Sequence, residues 1–279
     1  LYAGVTYKNG TLNVSDEAES GEITVTATSL INETVASRTI VIKKCEKVQV
    51  AHEKILIEKG ITEIDLSFAG DYIGINASLY YGNTLLGSGT LNNGKLAVNL
   101  NDVTEGELTF AAYGEKDGKV YLFDVKARVV TKIISKAEDL AALRITQSNI
   151  DKDVSIKGVY VLVNNIDMNG ATIGGSLKYS NGVPVYRKDF GFLGTFDGQG
   201  HTISNFKVIS GGIFGHLGKG SLITDVVFDK VTYENDYLSA LFAVTAREAK
   251  FANVKINVEA YNCPSDAGYS QGLISSRYM

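Results

Sequence analysis

Asp197-Gly198-Gln199-Gly200-His201 is the stretch whose residue types most invite chemistry in this chain. A carboxylate near an imidazole suggests proton transfer. Acid–base cleavage of a glycosidic bond needs two carboxylates placed across that bond, and Asp167 is the obvious second one. The same residues have a plainer reading. Aspartate caps backbone groups at turns, and glycine supplies positive φ. We take the turn reading. No catalytic residue is assigned, no carboxylates cluster with Arg or Lys as a β-helix lyase would need, and the chain is read as not an enzyme.

Other candidate sites are thin. His52, His201 and His216 are widely spaced, with no cysteine or second histidine at ligand spacing, so no zinc site is expected. Calcium stays open through loop pairs such as Asn101/Asp102 and Asn235/Asp236, although EF-hand spacing is lacking. No other cofactor is expected. Gly174-Gly175 and Gly211-Gly212 are not phosphate loops, because no Gly-Lys-Ser/Thr follows and no strand–loop–helix surrounds them. Tyr179, Tyr186, Phe190 and Phe192 gather on one loop. Rings there either stack on the apolar C–H faces of sugars or cover the end of a core. The candidate ligand-binding set is therefore Tyr179, Tyr186, Phe190, Asp197 and His201.

Composition bounds the rest. Hydrophobic residues make up 44% and charged residues 21% of the 279, which is globular. The length suggests about two domains. Twenty-nine Gly and 15 Tyr with no Trp and 2 Pro favour short strands and tight turns. The net charge of −4 argues against nucleic acid, which needs a basic stripe. No run approaches the roughly 20 apolar residues of a membrane span. Cys45 and Cys263, the two cysteines, are expected as separate buried thiols. The chain opens on Leu1 and stops at Met279 without start or stop signals, and both ends read as cut.

The elements that would position these residues are mostly strands. Over 1–44, Lys8-Asn9-Gly10 is a turn signal and Glu22–Thr28 alternates polar and apolar. Seven short alternating runs over 46–132, with turns at Tyr81-Gly82-Asn83, Asn92-Asn93-Gly94 and Lys116-Asp117-Gly118, fit an immunoglobulin-like sandwich. A short helix is expected near 136–144, with Ser135 as N-cap and Glu138 reaching back.

The last third repeats. Ile203–Val208, Ile223–Phe228 and Phe251–Ile256 share an apolar, any, Asn or Asp, apolar, any, apolar pattern. A second element follows each: Gly212–Gly215, Ala240–Ala243 and Gly272–Ser275. Such units bury their apolar faces by stacking, and a ladder of Asn/Asp side chains is expected at the shared polar position. The stretch 174–190 reads as an insertion.

Two resemblances follow. Tyr7–Val14 and Ser20–Ser29 resemble the C-terminal part of a bacterial immunoglobulin-like (Big) domain. Tyr160–Met168, Phe192–Ser204 and Gly212-Ile213-Phe214-Gly215 resemble the GLUG-type β-helix region of bacterial surface proteins, with Ala240 and Ala243 departing from the pattern. The expectation is an all-β chain: a partial Big domain over 1–45, a second immunoglobulin-like sandwich over 46–133, and a right-handed parallel β-helix segment over 134–279, cut at its C-terminus, with one short helix at its start. The resemblance implies a non-catalytic module of an extracellular or cell-surface adhesin that binds a glycan or protein. The alternatives are an incomplete β-helix of a polysaccharide-degrading enzyme and a structural stalk.

Overall fold

A computed structural model describes residues 3–8, 11–15, 17–29, 31–175, 189–209, 211–234, 240–262 and 275–278. The chain is all-β, with a curled parallel sheet, a half-barrel and one short α-helix. It divides into two compact units. The first is Leu1–Ile55 with Gly60–Val103 and Leu108–Ala127; the second is Leu56–Lys59 with Thr104–Glu107 and Arg128–Met279.

The first unit opens with two antiparallel hairpins, β1 (Val5–Lys8) with β2 (Thr11–Val14) and β3 (Gly21–Thr28) with β4 (Val35–Ile42). Val5, Ala18 and Ile42 form a small core there. Next along the chain come β5 (Cys45–Lys47), β6 (Ile55–Glu58), β7 (Glu63–Asp65), β8 (Asn76–Tyr81), β9 (Thr84–Thr90), β10 (Lys95–Ala97), β11 (Gly106–Lys116) and β12 (Lys119–Val130), with most of β6, the start of β11 and the end of β12 counted in the second unit. β7 pairs with β10, and a larger sheet runs β5-β12-β11-β8-β9, with β6 also on β12.

The turn chemistry is as expected. Asn93 and Gly94 both have positive φ, as do Asp117 and Gly118 between β11 and β12. Paired positive φ is what a tight hairpin turn requires, and Asn-Gly or Asp-Gly meets it with little strain. Alternation then sorts the faces. Ala77, Leu79, Phe110, Ala112, Phe123 and Val125 are buried on one side of the larger sheet. Cys45, expected to be a buried thiol, is exposed. It lies on β5, three residues long, whose side chains are all outside the core. Cys263 lies outside the described residues.

The second unit is built from parallel strands: β13 (Lys132–Ile134), β14 (Val159–Leu162), β15 (Ile166–Ile173), β16 (Thr195–Asp197), β17 (Thr202–Val208), β18 (Gly215–Leu217), β19 (Leu222–Glu234), β20 (Ala243–Ala246), β21 (Lys250–Asn262) and β22 (Ser275–Tyr278). One seven-stranded sheet takes all but β18, β20 and β22, which form a second sheet. Ile133, Val161, Asp197, Thr224 and Ala252 stand in one column, so successive passes are 28, 36, 27 and 28 residues long. The long pass contains the 174–190 stretch.

Between the sheets lies an apolar core. Phe192, Phe196, Phe206, Phe214, Phe228 and Phe242 are all buried. Their rings meet edge-on or tilted, with Phe192–Phe214 centroids 4.9 Å apart and Phe228–Phe242 5.3 Å apart, the geometry aromatic quadrupoles favour.

The helix expected near 136–144 winds as a 3₁₀ helix, Ala137–Leu143. Its cap is Asp139, not Glu138. The Asp139 carboxylate accepts from Ser135 N at 2.9 Å, Ser135 Oγ at 3.1 Å and Lys136 N at 3.1 Å, and these bonds hold its pKa below the usual value. The α-helix is Gln147–Asp151, capped by Thr146, whose hydroxyl accepts from Asn149 N while Asn149 Oδ1 accepts from Thr146 N at 2.9 Å.

The Phe228 ring meets Phe206 of the preceding pass and Phe242. Phe228→Ala is expected to cost about 3–5 kcal/mol, read as a lower denaturant midpoint at constant slope.

Candidate functional site

The two aspartates singled out above open turns of the same local form at different corners of the coil. Asp167 and Asp197 each open an Asp-x-Asn/Gln-Gly sequence. Asp167 Oδ1 accepts from Asn169 N at 2.8 Å, and Asp197 Oδ1 accepts from Gln199 N at 3.0 Å. The third and fourth residues of both turns have positive φ: Asn169 and Gly170, then Gln199 and Gly200. His201 N donates to Gly198 O at 2.8 Å and closes the second turn. One oxygen of each carboxylate thus serves to make a corner.

Asp197 uses its second oxygen as well, while Asp167 Oδ1 takes a second donor. Asp197 Oδ2 receives Arg128 at 2.6 Å, and Arg128 Nε lies 3.7 Å from Glu107. Asp167 Oδ1 receives Asn205 Nδ2 at 3.1 Å. A general acid or base needs a carboxyl oxygen aimed at a substrate proton. Here Oδ1 of each aspartate serves the turn backbone, and Asp197 Oδ2 serves the ion pair.

Gly198 is needed for a different reason. A Cβ there would lie 2.6 Å from Asp225 O and against Val226 Cβ of the next pass. Glycine lets β19 approach closely enough for Gly198 N to donate to Thr224 O at 2.8 Å.

The expected Asn/Asp ladder exists in part and with a different register. Asn253 Nδ2 donates to Asp225 Oδ1 at 2.7 Å, and Asn257 Nδ2 donates to Asp229 Oδ1 at 2.9 Å. The second and third repeat segments therefore align as the sequence suggests, Ile223 beside Phe251 and Val226 beside Val254. The first does not. Ile203 lies beside Phe228, and Phe206 beside Val231. Each pass turns two corners with the same local pattern: one at Asp225 and Asn253, another at Asn205 and Lys230, all with positive φ. Ile203–Val208 spans the second kind of corner, and a one-dimensional pattern cannot tell them apart. The second elements do align, with Gly215, Ala243 and Ser275 in one row.

Of the remaining candidates, Phe190 is buried against Ile145 and Ile150, and Phe192 is fully buried, so neither ring presents a face for stacking. His201 is half-buried. Tyr179, Tyr186 and Asn235/Asp236 lie outside the described residues. Asn101 N donates to Asn99 Oδ1 at 3.0 Å, an ordinary turn bond. Among the described residues, no group of three or more His, Cys, Asp or Glu is placed to hold a metal ion.

One buried polar pair went unnoticed in the sequence. His216 and Thr245 are buried on neighbouring strands, with His216 Nδ1 2.9 Å from Thr245 Oγ1. Arg144 donates to Gly212 O and, at 2.9 Å, to Gly175 O. Burial, aided by the Arg144 charge, pushes the His216 pKa down to about 4. Comparison with protein-family models, curated proteins and solved structures finds no match to this chain.

Two outcomes follow. Gly198→Ala is expected to lower the thermal midpoint although alanine is otherwise a better strand residue; an unchanged midpoint would show that the passes have room. His216 is neutral when folded and takes up a proton near pH 6.5 when unfolded. Its contribution is whole above that pH and is lost as pH falls toward 4, by about 2 kcal/mol between pH 7 and 5. Denaturant unfolding of the native chain and His216→Gln at both pH values should show the smaller pH effect in the variant.

Proposed function

We propose that this chain is a non-catalytic part of a bacterial cell-surface adhesin or surface-displayed protein. Its first unit supplies immunoglobulin-like modules, and its second is a right-handed β-helix of the GLUG type acting as a rigid scaffold. The observation that carries this reading is the column Ile133–Val161–Asp197–Thr224–Ala252, held in register over passes of similar length. Stacked repeats of this kind make a stiff element in which each repeat is held by its neighbours. Stiffness with distance is what a displayed protein needs to hold a ligand site away from a cell.

The alternative enzyme reading asks Asp167 and Asp197 to act together on a bond. Both are committed to turn backbone, and Asp197 also to Arg128. The scaffold reading needs no more of them than this. An acidic balance, with 31 Asp and Glu against 27 Lys and Arg, agrees with a partner other than nucleic acid.

The test is display. Trypsin applied to intact cells of the source organism should remove the chain from immunoblots while a cytoplasmic marker survives. Full protection on intact cells, with cleavage only after lysis, would overturn the proposal.

A further inference from the structure

The first unit carries a groove that the roles above do not use. It lies on the outward face of the larger sheet, opposite the core. The register places Tyr113 beside Ser78, Ala111 beside Tyr80, and Glu115 beside Asn76. Because Ala77, Leu79, Phe110 and Ala112 point into the core, their neighbours Ser78, Tyr80, Ala111 and Tyr113 line the outer face together. The groove measures about 620 Å³, within the usual range for small-ligand sites.

Its chemistry is specific. The Tyr80 and Tyr113 rings stand nearly perpendicular, 5.5 Å apart, both half-buried. One ring offers a face beside another's edge. The Asn76 side chain is held by Thr90 Oγ1, which donates to its Oδ1 at 3.1 Å. Asn83 reaches the groove from the β8–β9 turn. Lys43 Nζ bonds both oxygens of Glu115 at 3.0 Å, so the two charged side chains that line the groove among the described residues neutralise each other. Burial pushes the Tyr113 hydroxyl pKa up, with Cys45 and Tyr80 adding to it, so this hydroxyl keeps its proton as a donor.

Three ligand classes are disfavoured. A phosphate or polyanion meets one lysine already paired and no arginine. A peptide adding as a strand needs an open edge; β8 and β11 under the tyrosines have neighbours on both sides, and the edge strand β5 is only three residues long. A purely apolar ligand would leave the amides and hydroxyls unsatisfied. What remains is a ligand with apolar C–H faces, many hydroxyls and no charge.

We propose that this groove binds a neutral pyranose oligosaccharide, with Tyr80 and Tyr113 stacking on sugar C–H faces and Asn76, Ser78 and Asn83 hydrogen-bonding the hydroxyls. The first unit is then a recognition module, not only a spacer. This rests on the surface-display reading only in making a glycan the ligand a displayed protein would meet.

Cys45 lines the same groove and is exposed, so it reports occupancy. The experiment uses the 279-residue chain with Cys263→Ser. Cellohexaose, xylohexaose, chitohexaose and laminarihexaose are titrated by calorimetry, with hexagalacturonate as the charged comparison. Cys45 alkylation by iodoacetamide is followed in parallel. Saturable binding to at least one neutral hexasaccharide is expected, with slower Cys45 alkylation. Tyr113→Ala should weaken it by about tenfold or more, and Tyr113→Phe by less. Near-native thermal midpoints in both variants establish that they fold. Binding that neither protects Cys45 nor responds to Tyr113→Ala overturns the groove. So does the absence of binding to all four neutral probes, or preference for hexagalacturonate. None of these results bears on protease access at the cell surface, so the two proposals fail separately.

Discussion

Each pass of the second unit must return in register, so that one apolar side chain settles on another from the pass before. A single pass has no way to bury its own inward face. The aromatic column from Phe192 to Phe242 is the result, and most local features are consequences of it. Gly198 is small because Val226 and Asp225 arrive beside it. Gly212 has positive φ and sits against the carbonyls of Ala240 and Leu241, where a side chain would block the next pass. Buried His216 is tolerated because Thr245, delivered by the neighbouring strand, supplies its partner.

The same demand explains where several polar side chains go. A strand that bends sharply leaves backbone N–H groups without ladder partners, and those groups must be satisfied. Asp167 and Asp197 do this at two corners, and Asp225 and Asp229 accept from asparagines of the following pass at others. Hydrogen bonds from fixed donors stabilise the charged form of a carboxylate. The Asp225 carboxyl shows this: its bonds to Thr224 and Asn253 hold its pKa below the ordinary value. Turn chemistry and catalytic chemistry draw on the same residues, and spacing alone does not separate them.

Features set by adjacent residues were legible in the sequence. Asn93-Gly94 and Asp117-Gly118 turn as their φ preferences dictate, and the rows through Gly215, Ala243 and Ser275 follow the visible repeat. Features set by several competing local patterns were misread. Ile203–Val208 matches either of two corners, and Asp139 displaces Glu138 because a shorter side chain one residue on reaches three donors at once. Cys45 departs from the buried-thiol expectation because its strand is too short for alternation to mark an inward face. Arg128 could not be paired with Asp197 in advance, as 69 residues separate them.

The groove of the first unit belongs to this last class. Lys43 and Glu115 are 72 residues apart, and Tyr80 and Tyr113 meet only because β8 and β11 are antiparallel neighbours. Each tyrosine alone reads as an ordinary outward strand residue, and an isolated exposed ring means little. Two rings at right angles beside amides and a self-neutralised charge pair are different, because half-burying tyrosine on an outer face serves no core. β8 and β11, which carry the two tyrosines, are internal to the sheet, so their backbone groups are engaged and selectivity there falls to side chains. Rigid backbone with variable outward side chains is the arrangement on which a recognition surface is most readily built. In this chain, stacking claims the polar residues of the second unit for its corners, while the outer sheet face of the first unit leaves its side chains available to a ligand.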